Sequence, residues 1–178
     1  MLPKSTIWKT AEVFFMNPTK EHYLKDISRK AGLAHTAVKP SLIALEEMGI
    51  IKRLVHKKGS RDFPVYKTDM DAKPYKKYKK IYNISSIIES ELIDFLETTL
   101  MPKSIVLFGS YKRGEDIEDS DIDIFLECEP EKIELQTYEE KLGRHIELHF
   151  RENFESCPVE LKNNIINGIT LSGFLEGY

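Results

Sequence analysis

Two short groups of residues in this chain have the types and spacing that chemistry on a phosphate requires. Ile105, Val106, Leu107 and Phe108 form an apolar run suited to a buried strand, and it stops at Gly109 and Ser110. A strand that ends in Gly-Ser before a helix offers backbone N–H groups to an anion, because glycine has no Cβ to block the approach. After residues 111–120 comes Asp121-Ile122-Asp123-Ile124-Phe125-Leu126. Side chains alternate in a strand, so Ile122 and Ile124 enter the core while Asp121 and Asp123 share the opposite face. Two carboxylates so placed repel each other, and a divalent cation resolves the conflict. Magnesium takes hard oxygen ligands, and a pair of ions about 3.5–4 Å apart suits phosphoryl transfer.

The joint pattern of a hydrophobic residue, Gly, Ser, a spacer and Asp-hydrophobic-Asp stands here as Phe108, Gly109, Ser110 and Asp121, Ile122, Asp123. It resembles the nucleotidyltransferase signature of the DNA polymerase beta superfamily. Tyr111, Lys112, Arg113 and Gly114, with Ser120 before the aspartates, look like the small branch known as minimal nucleotidyltransferases. The resemblance spans roughly residues 90–178. It implies that Gly109 and Ser110 hold the β- and γ-phosphates of a nucleoside triphosphate and that Arg113 adds charge there, with Lys112 a weaker candidate. It also implies that two Mg2+ ions sit on Asp121 and Asp123. The family places a third carboxylate on a later strand, where Leu142 to Phe150 offers Glu147 beside His145 and His149 on one face and Ile146, Leu148 and Phe150 on the other. Glutamate stands where the family usually has aspartate, and its extra methylene moves the carboxylate by about a bond length. The implied reaction is attack of an acceptor hydroxyl on the α-phosphate, with AMP from ATP as the expected transferred group. Family acceptors range from nucleic-acid ends to antibiotics and tyrosines of partner proteins, so a protein acceptor or toxin-like partner is expected alongside nucleic acid.

The elements around these residues follow from period and punctuation. Residues 5–16 read as a helix with Ser5 as N-cap and Asn17-Pro18 as stop, residues 22–31 as a second ending at Gly32, and residues 35–48 as a third containing Pro40. Then IIKRLVHKK and FPVYKTD, rich in β-formers, flank Gly59-Ser60-Arg61-Asp62, which reads as a hairpin turn. Over residues 5–70 this resembles the winged-helix DNA-binding family. The resemblance makes His35, Thr36 and Lys39 candidates for a major groove and Lys57, Lys58 and Arg61 candidates for phosphates. Residues 73–100 carry Tyr75, Tyr78, Tyr82, Ile88, Leu92, Phe95 and Leu96 at near-helical spacing. That predicts one long connecting helix, or two in tandem, able to pack on either domain or on a second copy in a homodimer. The tail, with Leu161, Ile165, Ile166, Ile169 and Leu171, predicts a helix and end segment packing on the sheet.

The fold class expected is therefore α+β. A winged helix-turn-helix domain occupies 1–72, a connecting helix 73–100, and a polymerase-beta-like nucleotidyltransferase palm with a small mixed sheet and helices 101–178. Composition sets outer bounds. The chain has 178 residues, 41% of them hydrophobic and 31% charged, enough for one ordinary core or two small ones. No apolar run approaches the roughly 20 residues of a membrane span, and the first twenty residues lack a signal-peptide core, so a cytoplasmic protein without membrane contact is expected. Cys128 and Cys157 stand apart, which predicts reduced, partly buried thiols and no zinc cluster. The net charge of −3 conceals a division: residues 1–80 hold 18 Lys and Arg against 8 Asp and Glu, and residues 81–178 hold 8 against 21. A basic half suits a polyanion, and an acidic half handling anionic substrates needs metal ions. Attraction between the halves, or to a partner, is the competing account. A non-catalytic DNA-binding transcriptional regulator or antitoxin-like protein, whose transferase-like part only binds nucleotide or a partner, is the competing function.

Overall fold

The Ser5 hydroxyl accepts a hydrogen bond from the Trp8 N–H at 3.3 Å and so starts α1 (Thr6–Met16) as a capped helix. The structure, a computed structural model, describes residues 4–176 and their side chains except that of Lys58. The chain divides into two compact units, Met1–Tyr82 and Asn83–Tyr178.

In the first unit, β1 (His22–Tyr23) precedes α2 (Leu24–Ala31), so the helix expected from residue 22 starts two residues later. His22 and Tyr23 pair with Tyr66 and Val65 instead. Gly32 closes α2 at φ +64°, a conformation open to glycine without cost. Then follow α3 (His35–Glu47), with Pro40 inside it, and the antiparallel strands β2 (Ile51–Lys58) and β3 (Arg61–Thr68). Pairing runs without a break from Ile51 with Thr68 to Lys58 with Arg61. The turn is therefore only Gly59-Ser60, and Arg61 and Asp62, expected in the turn, belong to the strand. Gly59 at φ +62° takes the first central position, which matches the twist of a two-residue hairpin. Phe14, Phe15, Ile27, Val38, Leu42, Leu45, Val65 and Tyr75 form the buried core. His22 is buried edge-on to the Phe14 ring, and desolvation holds its pKa below the ordinary imidazole value.

The connecting region is two helices, α4 (Lys73–Ser90) and α5 (Leu92–Leu100), separated by Glu91 in a left-handed conformation. Its apolar stripe divides between the two cores. Tyr75, Tyr78 and Tyr82 pack in the first, where Lys79 also donates to the Phe15 carbonyl at 2.6 Å, and Ile87, Leu92 and Leu96 pack in the second. No described helix is long and apolar enough to cross a membrane.

The second unit is built on a mixed four-stranded sheet in the order β6-β5-β4-β7. The strands are β4 (Ser104–Leu107), β5 (Ile122–Glu127), β6 (Ile146–Arg151) and β7 (Ile169–Gly173). The short α6 (Gly109–Arg113) leaves β4 directly, α7 (Gln136–Leu142) makes the crossover between the parallel strands β5 and β6, and α8 (Val159–Ile166) precedes β7. β4 runs antiparallel to both β5 and β7. The tail expected to pack on the sheet instead supplies its edge strand, since Ile169 pairs with Leu107 and Ser172 with Ile105. β4 is buried at all four positions, as its unbroken apolar run requires of a strand covered on both faces.

Candidate metal and phosphate site

The site forms where β4 ends beside β5. Leu107 pairs with Ile124, and one residue further the Phe108 N–H donates to the Asp123 carbonyl at 3.0 Å. The backbone then turns sharply into α6 at Gly109, whose φ is +72°. A Cβ placed on Gly109 would lie 2.0 Å from Asp123 Oδ2. Glycine is required here twice over, by conformation and by the carboxylate that occupies the space a side chain would need. Ser110 follows, half-buried, and its carbonyl accepts from the Glu115 N–H.

The parallel register completes the face. Asp123 stands opposite Glu147 and Phe125 opposite His149, so Asp123, Glu147 and His149 point the same way. One donor atom from each of the three lies within 4.8 Å of the others. His149 Nε2 is 3.5 Å from Asp123 Oδ1 and 3.9 Å from Glu147 Oε1. The imidazole is held from the side by the Phe108 ring, with centroids 5.0 Å apart. Two carboxylates and a ring nitrogen at these distances fit one dication better than they fit one another, since no hydrogen bond links the three.

The other predicted residues fall less tightly. Asp121 is exposed, precedes β5 by one residue and is not part of this cluster. It borders a surface hollow of about 590 Å³ with Glu118, Glu139, Arg144 and His145. His145 pairs with Glu139 at 2.5 Å and so faces that hollow, apart from the three-donor cluster. Arg113 is exposed, and its Nε donates to Glu115 at 2.8 Å, so a phosphate there would have to displace a carboxylate. Lys112 donates to the Asn167 carbonyl. In the first unit, His35, Thr36 and Lys39 are exposed in the opening turns of α3, and Lys57 and Arg61 are exposed beside the hairpin turn. The side chain of Lys58 lies outside the described residues.

Sequence reasoning assigned Glu147 to the face and read His145 and His149 as ordinary strand residues, either able to orient a ligand. The alternation of His145, Glu147 and His149 placed the imidazole on the right side of the strand. The pairing of β6 with β5, which brings His149 to Asp123 and leaves His145 beyond the strand end, could not be read from one strand alone. Of the two cysteines, Cys157 is buried and Cys128 half-buried, and burial pushes both thiols above their ordinary pKa.

Residues 89–171 match the model of a family described as "Nucleotidyltransferase domain". A protein of Methanocaldococcus jannaschii, described as a candidate protein adenylyltransferase, is 50% identical over 66 residues. That match takes in 33% of this chain and 66% of the relative, so the chain spans just under two thirds of the relative's length. Two solved structures each align with 55% of the chain. One is a possible transcriptional regulator from Methanosarcina mazei Go1, 18% identical, with 79% of that chain covered and a TM-score of 0.38. The other is a protein of Streptococcus mutans UA159, 16% identical, with 93% covered and a TM-score of 0.42.

Proposed function

From the membership of residues 89–171 in the nucleotidyltransferase domain family, we propose that this chain is a metal-dependent enzyme moving a nucleoside monophosphate, AMP from ATP, onto a hydroxyl of a protein or nucleic acid. The observation that carries the reading is the fit of Gly109 against Asp123, with Glu147 and His149 completing a donor set beside the Gly-Ser turn. The relative's description as a candidate protein adenylyltransferase supports a protein acceptor.

In this reading the backbone N–H groups at Gly109 and Ser110 receive the β- and γ-phosphates, and Arg113 exchanges Glu115 for the triphosphate. Asp123 and Glu147 hold the metal, and Asp121, two residues before Asp123, serves as a further carboxylate for two Mg2+ ions, as the Asp-Ile-Asp spacing implies. When bound, such ions supply positive charge to the phosphates and acidify the acceptor hydroxyl. The acceptor oxygen forms a bond to the α-phosphorus, the bond from that phosphorus to the bridging β-phosphate oxygen breaks, and pyrophosphate leaves. Glu147, half-exposed at the acceptor side, takes the hydroxyl proton.

The first unit serves recognition as a winged helix-turn-helix. Three helices, a three-stranded antiparallel sheet with a two-residue hairpin, and exposed His35, Thr36, Lys39, Lys57 and Arg61 support DNA as its ligand.

The test is incubation of the full chain with α-labelled ATP and Mg2+, alone and with lysate of the source cell, beside an Asp121→Ala, Asp123→Ala double variant. Label on a protein or nucleic acid with the intact aspartates, absent from the variant, is the expected result. Absence of label with every nucleotide and metal tried, in folded protein, overturns the enzyme and leaves the DNA-binding regulator.

A further inference from the structure

We infer that His149 is a direct ligand of the cation held by Asp123 and Glu147, and that this nitrogen tunes the centre toward first-row transition dications over Mg2+. The inference deepens the proposed function, resting on its metal site and adding a selectivity that the Gly-Ser and Asp-Ile-Asp pattern does not contain.

One polar atom at this site lacks a hydrogen-bond partner. His149 Nε2 is buried and makes no hydrogen bond. A ring nitrogen withdrawn from water without a partner costs free energy, so such atoms need an explanation. The neighbours do not supply one. Asp123 Oδ1 at 3.5 Å and Glu147 Oε1 at 3.9 Å are beyond the usual 2.7–3.2 Å of an N–H···O bond. The same separations suit donors that share an ion. Ligands about 2.1 Å from a common metal stand roughly 3.0–3.5 Å from one another, and the three donor atoms already lie within 4.8 Å of one another, so movement of the two carboxylates closes them on an ion.

The ring is also set in place before any ion arrives. His149 lies on β6 opposite Phe125 of β5, and the Phe108 ring packs against it at 58° to its plane. Phe108 is the residue immediately before Gly109, so the turn proposed to bind phosphate and the imidazole are positioned by one side chain. A ligand whose rotamer is fixed by packing gives up little conformational freedom on binding.

Donor chemistry then decides which ion is favoured. Mg2+ demands near-ideal octahedral oxygen ligation and sheds water reluctantly. Imidazole suits Zn2+, Ni2+ and Fe2+, and affinities of mixed nitrogen and oxygen sites rise from Mn2+ through Co2+ toward Cu2+. Two carboxylates with one imidazole form such a mixed site.

The experiment titrates the full chain with Mg2+ and separately with Co2+, reading Co2+ by its visible absorption and both ions by calorimetry, in the wild type, His149→Ala and His145→Ala. His145 lies just before the strand and outside the cluster, paired with Glu139, so its variant controls for adventitious binding by the other imidazoles. The expected result is that the preference for Co2+ over Mg2+, taken as the ratio of their Kd values, falls at least about tenfold in His149→Ala and stays within about twofold in His145→Ala. An unchanged ratio in His149→Ala overturns the inference. A second measurement on the wild type does not depend on a variant folding: the 15N resonance of His149 Nε2 moves on addition of Zn2+ if that atom is a ligand, and a stationary resonance overturns the inference. Failure here is separable from failure of the proposed function, because label transfer from ATP is measured independently of which ions the imidazole favours.

Discussion

At Gly109 a single hydrogen in place of a methyl group decides whether the site exists. Any Cβ there would sit 2.0 Å from Asp123 Oδ2, and the φ of +72° adds backbone strain of about 1 kcal/mol for a residue with a side chain. Gly109→Ala is therefore expected to push the Asp123 carboxylate out of the donor cluster. Label transfer from ATP should fall by about a hundredfold or more, roughly 3 kcal/mol of transition-state stabilisation, while thermal unfolding shifts far less. Retention of near-normal transfer would show that the close packing of Gly109 on Asp123 is not part of the active arrangement. The approach of Gly109 to Asp123 was legible in the sequence because Gly-Ser and Asp-Ile-Asp are local patterns, whereas Asp121, expected on the same face, precedes β5 and lies outside the donor cluster. His149 was less legible because its role depends on the register between two strands separated by a crossover, and nothing in residues 145–150 states that register. Arg113 shows the converse limit, since the family resemblance implies a phosphate there while the structure pairs it with Glu115, a neighbour two residues away.

Among the elements, the short helix that carries Ser110 needs an anchor, because five residues make too little helix to hold themselves. The anchor comes from α4. Asn83 is fully buried, and its Nδ2 donates to the Tyr111 carbonyl at 2.7 Å and to Asp116 Oδ1 at 2.6 Å. Asp116 is also fully buried and lies 3.7 Å from the Arg144 guanidinium, so α6, the loop after it and the turn before β6 meet in one polar cluster. Asn83→Leu keeps the branching and heavy-atom count of the side chain but removes both N–H donors from buried acceptors. A loss of about 2–3 kcal/mol is expected in urea unfolding of the full chain, with ATP affinity weakened at the Gly-Ser turn that α6 continues. A change below about 0.5 kcal/mol would mean that water replaces the amide and that the anchor lies elsewhere. Neither Asn83 nor Asp116 stood out in the sequence, because a buried polar pair separated by more than thirty residues has no local signature. The connecting region was more readable. Its apolar spacing predicted one helix or two, and the left-handed Glu91 makes it two. The edge strand β7 was read as a tail segment because Ile169 and Leu171 alternate with polar residues over too short a stretch to separate a strand from a helix end.

For the molecule as a whole, the division of charge noted in the sequence coincides with the division into compact units. Ile81 and Tyr82 carry no charge, so the first unit, Met1–Tyr82, holds the net +10 and the second, Asn83–Tyr178, the net −13. If the first unit binds DNA, the affinity must come mainly from lysine and arginine on phosphates, and counterion release then makes it fall steeply with salt. Lys57 and Arg61 are the described basic side chains beside the two-residue turn, and both are exposed. In fluorescence anisotropy with the full chain and a duplex of about 25 base pairs, binding should be measurable at about 50 mM salt and weaken linearly in log K against log salt. The Lys57→Ala, Arg61→Ala double variant should weaken binding uniformly across sequences and make the slope shallower by about 2, one phosphate contact for each cation. His35 and Thr36 substitutions belong to a different class, changing preference among sequences with little effect on the slope, because groove contacts specify where phosphate contacts position. A slope that the hairpin variant leaves untouched would remove the hairpin from the interface. No binding of the wild type at 50 mM salt would assign the basic charge to contacts other than DNA, and the first unit would then be a module that recognises the acceptor of the transfer reaction.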